Sequence, residues 1–322
     1  MNPFNRISHL LLPAVAVSGL FASCIYDYPG DCDEKTGFEI VNDWSLAPAA
    51  APEGMAYLFY PEKGGGPWRF DFPGREAGGV SLPPGGYSFV MFNDDTSDID
   101  FVEEGDGPGV TTEKVSVGFD TGYGELRRSP DMMWGDASAR VVLGNSSLEY
   151  ESSTYSPHRE MVSSPDMRMV TYPRQIVATY NVRVKHVVNL HGVAAMKGIL
   201  GGLSTGMDLS TGRHWDEVAG VPFDFRIEAD SSVIARFLTF GLPEKGSRKA
   251  DNALLLFFKL SDGRTERREF DVTEIVRGAA DPLNVSIEID SVTLPYAPTV
   301  VGGGGFDPSV VGWTTVTVNF NV

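Results

Sequence analysis

Gly202-Leu203-Ser204-Thr205-Gly206 spells G-x-S-x-G, the pattern of a nucleophilic serine held on a sharp turn between a strand and a helix. That turn needs alternating strands and helices around it, which this sequence lacks. The stretch is therefore read as a glycine turn and the chain as a non-enzyme. His186 and His191 lie five residues apart with no further ligands beside them. Zinc wants a closed set of ligands, so the pair makes a poor site, and His186 is read as a rim or partly buried core residue of a strand. The richest oxygen cluster is Asn93-Asp94-Asp95-Thr96-Ser97-Asp98-Ile99-Asp100. Calcium takes about six to eight oxygens, and Asp94, Asp95, Asp98 and Asp100 are its candidate ligands. The run lacks the glycine and distal glutamate of an EF-hand loop. The competing reading is an Asx-rich turn whose side chains cap local N–H groups, and on that reading no metal and no other cofactor is expected. Gly302 to Gly305 carries no lysine and leads into no helix, which argues against a phosphate cradle. Trp44, Trp68, Trp134, Trp215 and Trp313 would make a sugar platform if several were exposed together; core packing is expected for most. Asn145-Ser146-Ser147 fits an N-glycosylation signal only formally.

Cys24 offers different chemistry. Arg6 gives a positive start, Leu10 to Phe21 an apolar run, and Ala22-Ser23 two small residues before the thiol. This order is a secretory signal whose core is too short to span a membrane. With cysteine at the cut it resembles a bacterial lipobox, although Phe21 stands where that motif usually has Leu. Residues 1–23 are then a removed signal, and Cys24 takes lipid on sulfur as the first mature residue. A single acyl chain holds a protein only marginally, each CH₂ contributing about 0.8 kcal/mol, so stable anchoring needs several chains. No later window offers about 18 uninterrupted apolar residues, and the membrane is expected to be touched through the lipid alone.

The net charge of −17 becomes about −18 once Arg6 leaves with the signal. Such acidity argues against nucleic acid or anionic lipid as a partner. With Cys24 lipidated, Cys32 has no partner within the chain, which excludes a disulfide framework and a thiol zinc site. Cys32 is left free or pairs with another chain. Residues 24–36 are polar, acidic and aperiodic, and form a tether in which Asp27, Asp31, Asp33 and Glu34 cluster.

From Gly37 onward the elements that must position everything else are short alternating runs. Phe38 and Ile40 open a first strand, Met55 to Tyr60 form a second, and Phe70 and Phe72 keep period two before the Pro73-Gly74 turn. Tyr87, Phe89 and Met91 share a face, as do Tyr180, Val182 and Val184, with Asn181, Arg183 and Lys185 on the other. Val285, Ile287 and Ile289 alternate with Ser286, Glu288 and Asp290. The cleanest run closes the chain, with Val316, Val318, Phe320 and Val322 against Thr315, Thr317, Asn319 and Asn321. Half-buried antiparallel strands give this pattern, and their spacing between Pro and Gly turns predicts a sandwich or barrel. Helix is expected only at Asp271-Val272-Thr273-Glu274, a capping box opening a helix to about Gly278, and for a turn or two within Val193–Leu200. A boundary falls near residues 173–180, giving sandwiches over 37–178 and 179–322, and no short internal repeat is visible.

Several stretches carry a resemblance. They are the acidic tether with its second cysteine, the strand Gly86-Tyr87-Ser88-Phe89-Val90-Met91-Phe92-Asn93-Asp94-Asp95-Thr96, and Asp131-Met132-Met133-Trp134-Gly135. Phe237-Leu238-Thr239-Phe240-Gly241, Phe270-Asp271-Val272-Thr273 and the closing Gly304-Gly305-Phe306 to Gly312-Trp313 segment add to them. Taken in order over residues 24–322, the chain resembles the Bacteroides cell-surface lipoproteins allied to fimbrial anchor subunits and fimbrillins. The resemblance implies an all-β fold of two tandem transthyretin-like Greek-key sandwiches. It also implies that the acidic run after Cys24 is a candidate signal for export to the cell surface, a reading compatible with a plain solvated linker. Polymerising fimbrillins carry a removable N-terminal strand cut after a basic residue. Here a short tether with Lys35 as its sole base precedes the first strand.

The function expected from this is an outer-membrane, surface-exposed lipoprotein that acts as a fimbrial anchor or accessory subunit in pilus assembly or adhesion. Its partners would be fimbrial subunits or other surface proteins. The alternative is a surface binding module for glycan or a host ligand, without catalysis. The closing strand Val316–Val322 would serve strand addition if it or its neighbour lay at a sheet edge, and would merely complete the second sandwich if central.

Overall fold

The computed structural model describes residues 34–104, 107–244, 251–298 and 316–317. The signal, Cys24, Asp27, Asp31, Cys32, Asp33, the segment around Gly302–Trp313 and Val318–Val322 lie outside the described residues. Glu34 is exposed.

The alternating runs form strands where the pattern puts them. In β1 (Thr36–Asn42) Phe38 and Ile40 are buried while Glu39 is exposed. β2 (Gly54–Pro61), β3 (Trp68–Pro73), β4 (Gly79–Leu82) and β5 (Gly85–Asn93) follow. Then come β6 (Asp100–Glu104), β7 (Gly107–Thr111), β8 (Val115–Ser116) and the long β9 (Trp134–Leu143). The short β10 (Leu148–Glu151), β11 (Met161–Ser164), β12 (Arg168–Thr171) and β13 (Arg174–Gln175) complete the first half. Its sheets run β12-β1-β4 and β11-β10-β9-β5-β2-β3, with β13 added on β9. Tyr57, Phe59, Tyr87, Phe89 and Met91 fill the space between them, joined by Phe38, Ile40 and Leu82.

Two residues beyond β13 the chain enters β14 (Ala178–Val188), then β15 (Val193–Ser204), β16 (Gly206–Asp208) and β17 (Val218–Asp224). β18 (Arg226–Ile227), β19 (Val233–Thr239), β20 (Ala253–Leu260), β21 (Thr265–Asp271) and β22 (Asn284–Thr293) follow. The sheets here are β18-β19-β14-β22 and β17-β15-β20-β21. Tyr180, Val182, Phe223, Phe237, Leu256 and Ile287 pack between them.

The two halves follow one path. In each, the opening strand pairs in parallel with the closing one, β1 with β12 and β14 with β22. Each opening strand has an antiparallel neighbour on its other side, β4 or β19. The facing sheets correspond strand for strand, β9-β5-β2-β3 with β21-β20-β15-β17. The all-β expectation therefore holds, and the chain repeats a topology that no short sequence repeat announces.

Several contacts bind the halves. β7 pairs with β16. Ala56, Leu58, Val90 and Phe92, on the back of β2 and β5, are buried together with Met207, Leu209 and Phe240. The chain from β8 onward crosses the outer face of β15 and β20, where Val115, Val117 and Leu126 bury Ile199, Leu255 and Phe257. Val316–Thr317 forms a strand, β23, antiparallel to β8.

The turns of helix expected within Val193–Leu200 are absent, because that run is part of β15. Both faces of the strand are covered, Met196 and Leu200 by one core and Ile199 by the crossing segment. Glycine also opposes a helix here, at about 1 kcal/mol per residue. A Cβ at Gly198 would meet the Phe223 ring at 2.3 Å, so strand packing needs glycine there. The expected helix does form, as α1 (Thr273–Arg277), with Gly278 after it. Its cap sits one residue later than the capping box predicts. Val272 is the capping position, and the Asp271 carboxylate accepts the Thr273 N–H at 3.0 Å.

Candidate docking surface

The serine and histidine candidates are not brought together. Ser204 is buried at the end of β15, and its hydroxyl donates to the carbonyls of Gly206 and Trp215, each at 2.8 Å. His186 lies on the surface, not in the core or at its rim. It is left-handed with φ 49°, and its Nδ1 lies 2.6 Å from Asp290 Oδ1. His191 stands 5.9 Å from the exposed ring of Tyr296.

The acidic loop after β5 is knitted to the backbone. Asp95 accepts the Glu53 N–H at 2.9 Å and the Asn93 side-chain amide at 2.6 Å. Asp98 accepts Arg128 at 2.7 Å, and Asp94 lies 3.5 Å from Arg69. Asp131, from the chain before β9, accepts the N–H groups of Ser97 and Asp98 at 2.7 and 2.8 Å. These contacts tie the acidic run to backbone and arginine groups distant in sequence, and among the described residues no cluster of three or more His, Cys, Asp or Glu is placed to hold a metal. Of the tryptophans, Trp44 is buried with Arg75 over its ring, while Lys35 covers Trp68 at 4.4 Å.

Sheet edges distinguish one strand. An open edge presents unpaired N–H and C=O groups to any strand that fits. In the first half β12, β4 and β11 have four residues each, and β3 ends in Pro73. In the second, the edge of β17 is continued by the crossing segment, Arg127 N–H donating to Gly220 O and Gly220 N–H to Glu125 O, both at 2.9 Å. β18 has two residues, and β21 carries Glu266-Arg267-Arg268-Glu269. β22 is the longest edge strand that remains, ten residues without proline against five in β6 and, among the described residues, unpaired by any strand on its far side. Leu283 O accepts from Thr179 N–H, so the odd-numbered residues of β22 bond to β14. The N–H and C=O groups of Ser286, Glu288 and Asp290 consequently point outward along the open edge.

The solvent face beside this edge is ordered by the pairing register. One rank across the sheet reads Arg226, Ile234, Arg183, Glu288, and the next Arg236, Asn181, Ser286. They line a groove of about 590 Å³. Arg226 pairs with Glu228 at 3.0 Å, Arg183 with Asp230 at 3.6 Å, and Lys185 with Glu288. Arg236 has no ion pair among the described residues. Sequence alternation marked Asn181, Arg183 and Lys185 as one outward face, but their joining to Arg226 and Arg236 depends on the strand order.

The family model described as "Domain of unknown function (DUF5119)" matches residues 24–224. A Bacteroides ovatus protein named "Putative fimbrium anchoring subunit Fim4B" is 27% identical over 318 residues, covering 89% of this chain and 88% of its own. Among solved structures, a "putative adhesin" from Bacteroides ovatus superposes with a TM-score of 0.59 at 22% identity, over 82% of this chain and 94% of the other. That likeness is one of fold. The fimbrial anchor protein Mfa2 from Porphyromonas gingivalis gives a TM-score of 0.47 at 14% identity, over 80% and 90% of the two chains. The matched family model covers more than half of the sequence, and the chain belongs to the DUF5119 family.

Proposed function

We propose that this chain is a fimbrial anchor or accessory subunit, held on the outer membrane through lipid on Cys24 and exposed on the cell surface by way of its acidic tether. The observation that carries the reading is the likeness to a protein named as a fimbrium anchoring subunit, over nearly the full length of both chains. In this reading the two sheet pairs, taken as units 37–178 and 179–322, hold a neighbouring fimbrial subunit away from the membrane. The open edge of β22 is the docking strand. Backbone hydrogen bonds would supply affinity, and the alternating side chains of the added strand would supply specificity. Affinity capture of the intact lipoprotein from its native membrane tests the proposal. Fimbrial subunits should copurify in near-stoichiometric amount, and their absence at native expression levels overturns it.

A further inference from the structure

A second cleft, of about 270 Å³, opens where the two halves meet and is walled by Thr154, Arg174 and Gln175 on one side and Thr211 and His214 on the other. Arg174 is fixed at its base. It lies in β13 opposite Gly135 of β9, and its Nη1 donates to Tyr155 O at 3.1 Å. Tyr155 is held in turn, its hydroxyl donating to Leu209 O at 2.5 Å and its ring resting on Gly212, where a Cβ would approach to 2.8 Å. The guanidinium is thus oriented, yet its buried Nε finds no acceptor in the protein.

Thr154, only 5% exposed, is in the same position. Its N–H donates to Ala137 O at 2.6 Å, while its buried hydroxyl has no partner. Leaving such a group unpaired costs about 1–3 kcal/mol, and here two fall in one small cleft. The neighbouring acids do not relieve them. Asp136 accepts from Ser153, Ala137 and Tyr172, and Asp208 accepts from Ser210 and Thr211. Burial lowers the pKa of His214, so the ring is neutral at neutral pH; Arg174 is the charged residue on the cleft wall, with the hydrogen-bonded Asp136 and Asp208 carboxylates near enough to act with it on Tyr155.

We propose that this cleft binds a carboxylate, gripped side-on by Nε and Nη2 of Arg174 and receiving a third hydrogen bond from the Thr154 hydroxyl. Nε and Nη2 form the edge of a guanidinium that matches the two oxygens of a carboxylate, and with Nη1 committed to Tyr155 it is the edge left available. The volume admits a ligand no larger than one sugar acid, since drug-sized ligands occupy roughly 300–1,000 Å³. Free organic acids and a uronic acid at the end of a glycan share this chemistry. The proposal is independent of the fimbrial reading, because it uses neither β22 nor the lipid.

The test is calorimetric titration of the detergent-solubilised intact chain with acetate, D-glucuronate and D-glucose at matched ionic strength. Both acids should bind saturably and glucose should not. Equal affinities assign the site to carboxylate alone, and glucuronate about tenfold tighter assigns it to sugar acids. Arg174→Lys, which keeps the charge but not the fork, should weaken binding by about tenfold. Thr154→Val should weaken it several-fold without lowering the melting temperature, because the hydroxyl it removes makes no bond within the protein. Absence of saturable heat with either acid, an equal response to glucose, or an unchanged affinity in folded Arg174→Lys overturns the assignment.

Discussion

His186 and Ser291 face one another across the parallel β14–β22 pair, and both are left-handed, with φ of 49° and 64°. They lie between the partners Lys185 with Asp290 and Val187 with Val292, so the register passes through them unbroken. An L-residue in this conformation costs roughly 1–2 kcal/mol. Two facing each other mark a matched kink near the end of the pair. Ser291→Gly should therefore be neutral or stabilising by up to about 1 kcal/mol, whereas Ser286→Gly in the regular part of β22 should destabilise by about 0.5–1 kcal/mol. Urea midpoints of the two variants give the comparison, and equal destabilisation would show that the kink carries no strain.

Proline separates the two sides of β22. At Ser286 the lost N–H points to the open edge, so the fold should survive with a loss of less than about 1 kcal/mol while fimbrial capture fails. At Ile287 the lost N–H bonds to β14, and about 3 kcal/mol or more should go with it. Circular dichroism melts and capture from membranes read the two effects. Normal capture by folded Ser286→Pro would remove β22 as the docking strand.

The anchor has its own test. Cys24→Ala should leave a folded chain that no longer partitions into detergent, since several acyl chains are needed for a stable hold. Replacing Asp27, Asp31, Asp33 and Glu34 with Ala should keep lipidation but abolish digestion by protease added to whole cells. Unchanged membrane association of the first variant, or equal shaving of the second, contradicts the corresponding step.

Tyr57 supplies an alkaline signature. Its buried phenol accepts from Asn42 at 2.6 Å and donates to Glu76 O at 3.1 Å, and burial pushes its pKa up from 10.0 to about 12. The folded value is the higher one, so its stabilisation is full below pH 10 and is lost as pH rises toward 12. Tyr57→Phe should be less stable than the parent by about 1 kcal/mol at pH 8 and overtake it between pH 10 and 12. Denaturant curves across that range that run parallel would refute the assignment.

Strand positions were legible wherever one face meets water. Phe38 and Ile40 alternate with Glu39, and Val285, Ile287 and Ile289 with Ser286, Glu288 and Asp290, because solvent contrast writes the period into the residues. Legibility failed where both faces are covered. Met196, Ile199 and Leu200 form an apolar, glycine-rich run whose strand state is set by residues far off in sequence, Val115 and Leu126 among them. The oxygen-rich run Asp94–Asp100 was legible, but its ties to Glu53, Arg128 and Asp131 were not, because those partners lie 30 to 42 residues away. The Arg174 cleft had no signature. Thr154, Arg174 and His214 meet only because β7 and β16 join the halves, and no spacing rule links residues so far apart.

The parallel closure of each half also sets an order of events in time. Asn42 on β1 meets Thr171 at the end of β12 across 129 residues, and Asn189 after β14 meets Leu294 across 105. A chain emerging from its N-terminus can form the β2–β5 and β15–β20 antiparallel pairs early. It cannot seal either opening strand until the closing strand has been made. Non-local closure of this kind slows folding, because loop entropy is lost before contacts repay it. In each half one flank of the first strand is therefore covered last, and β14 has its β22 partner only once the residues from Asn284 onward are present.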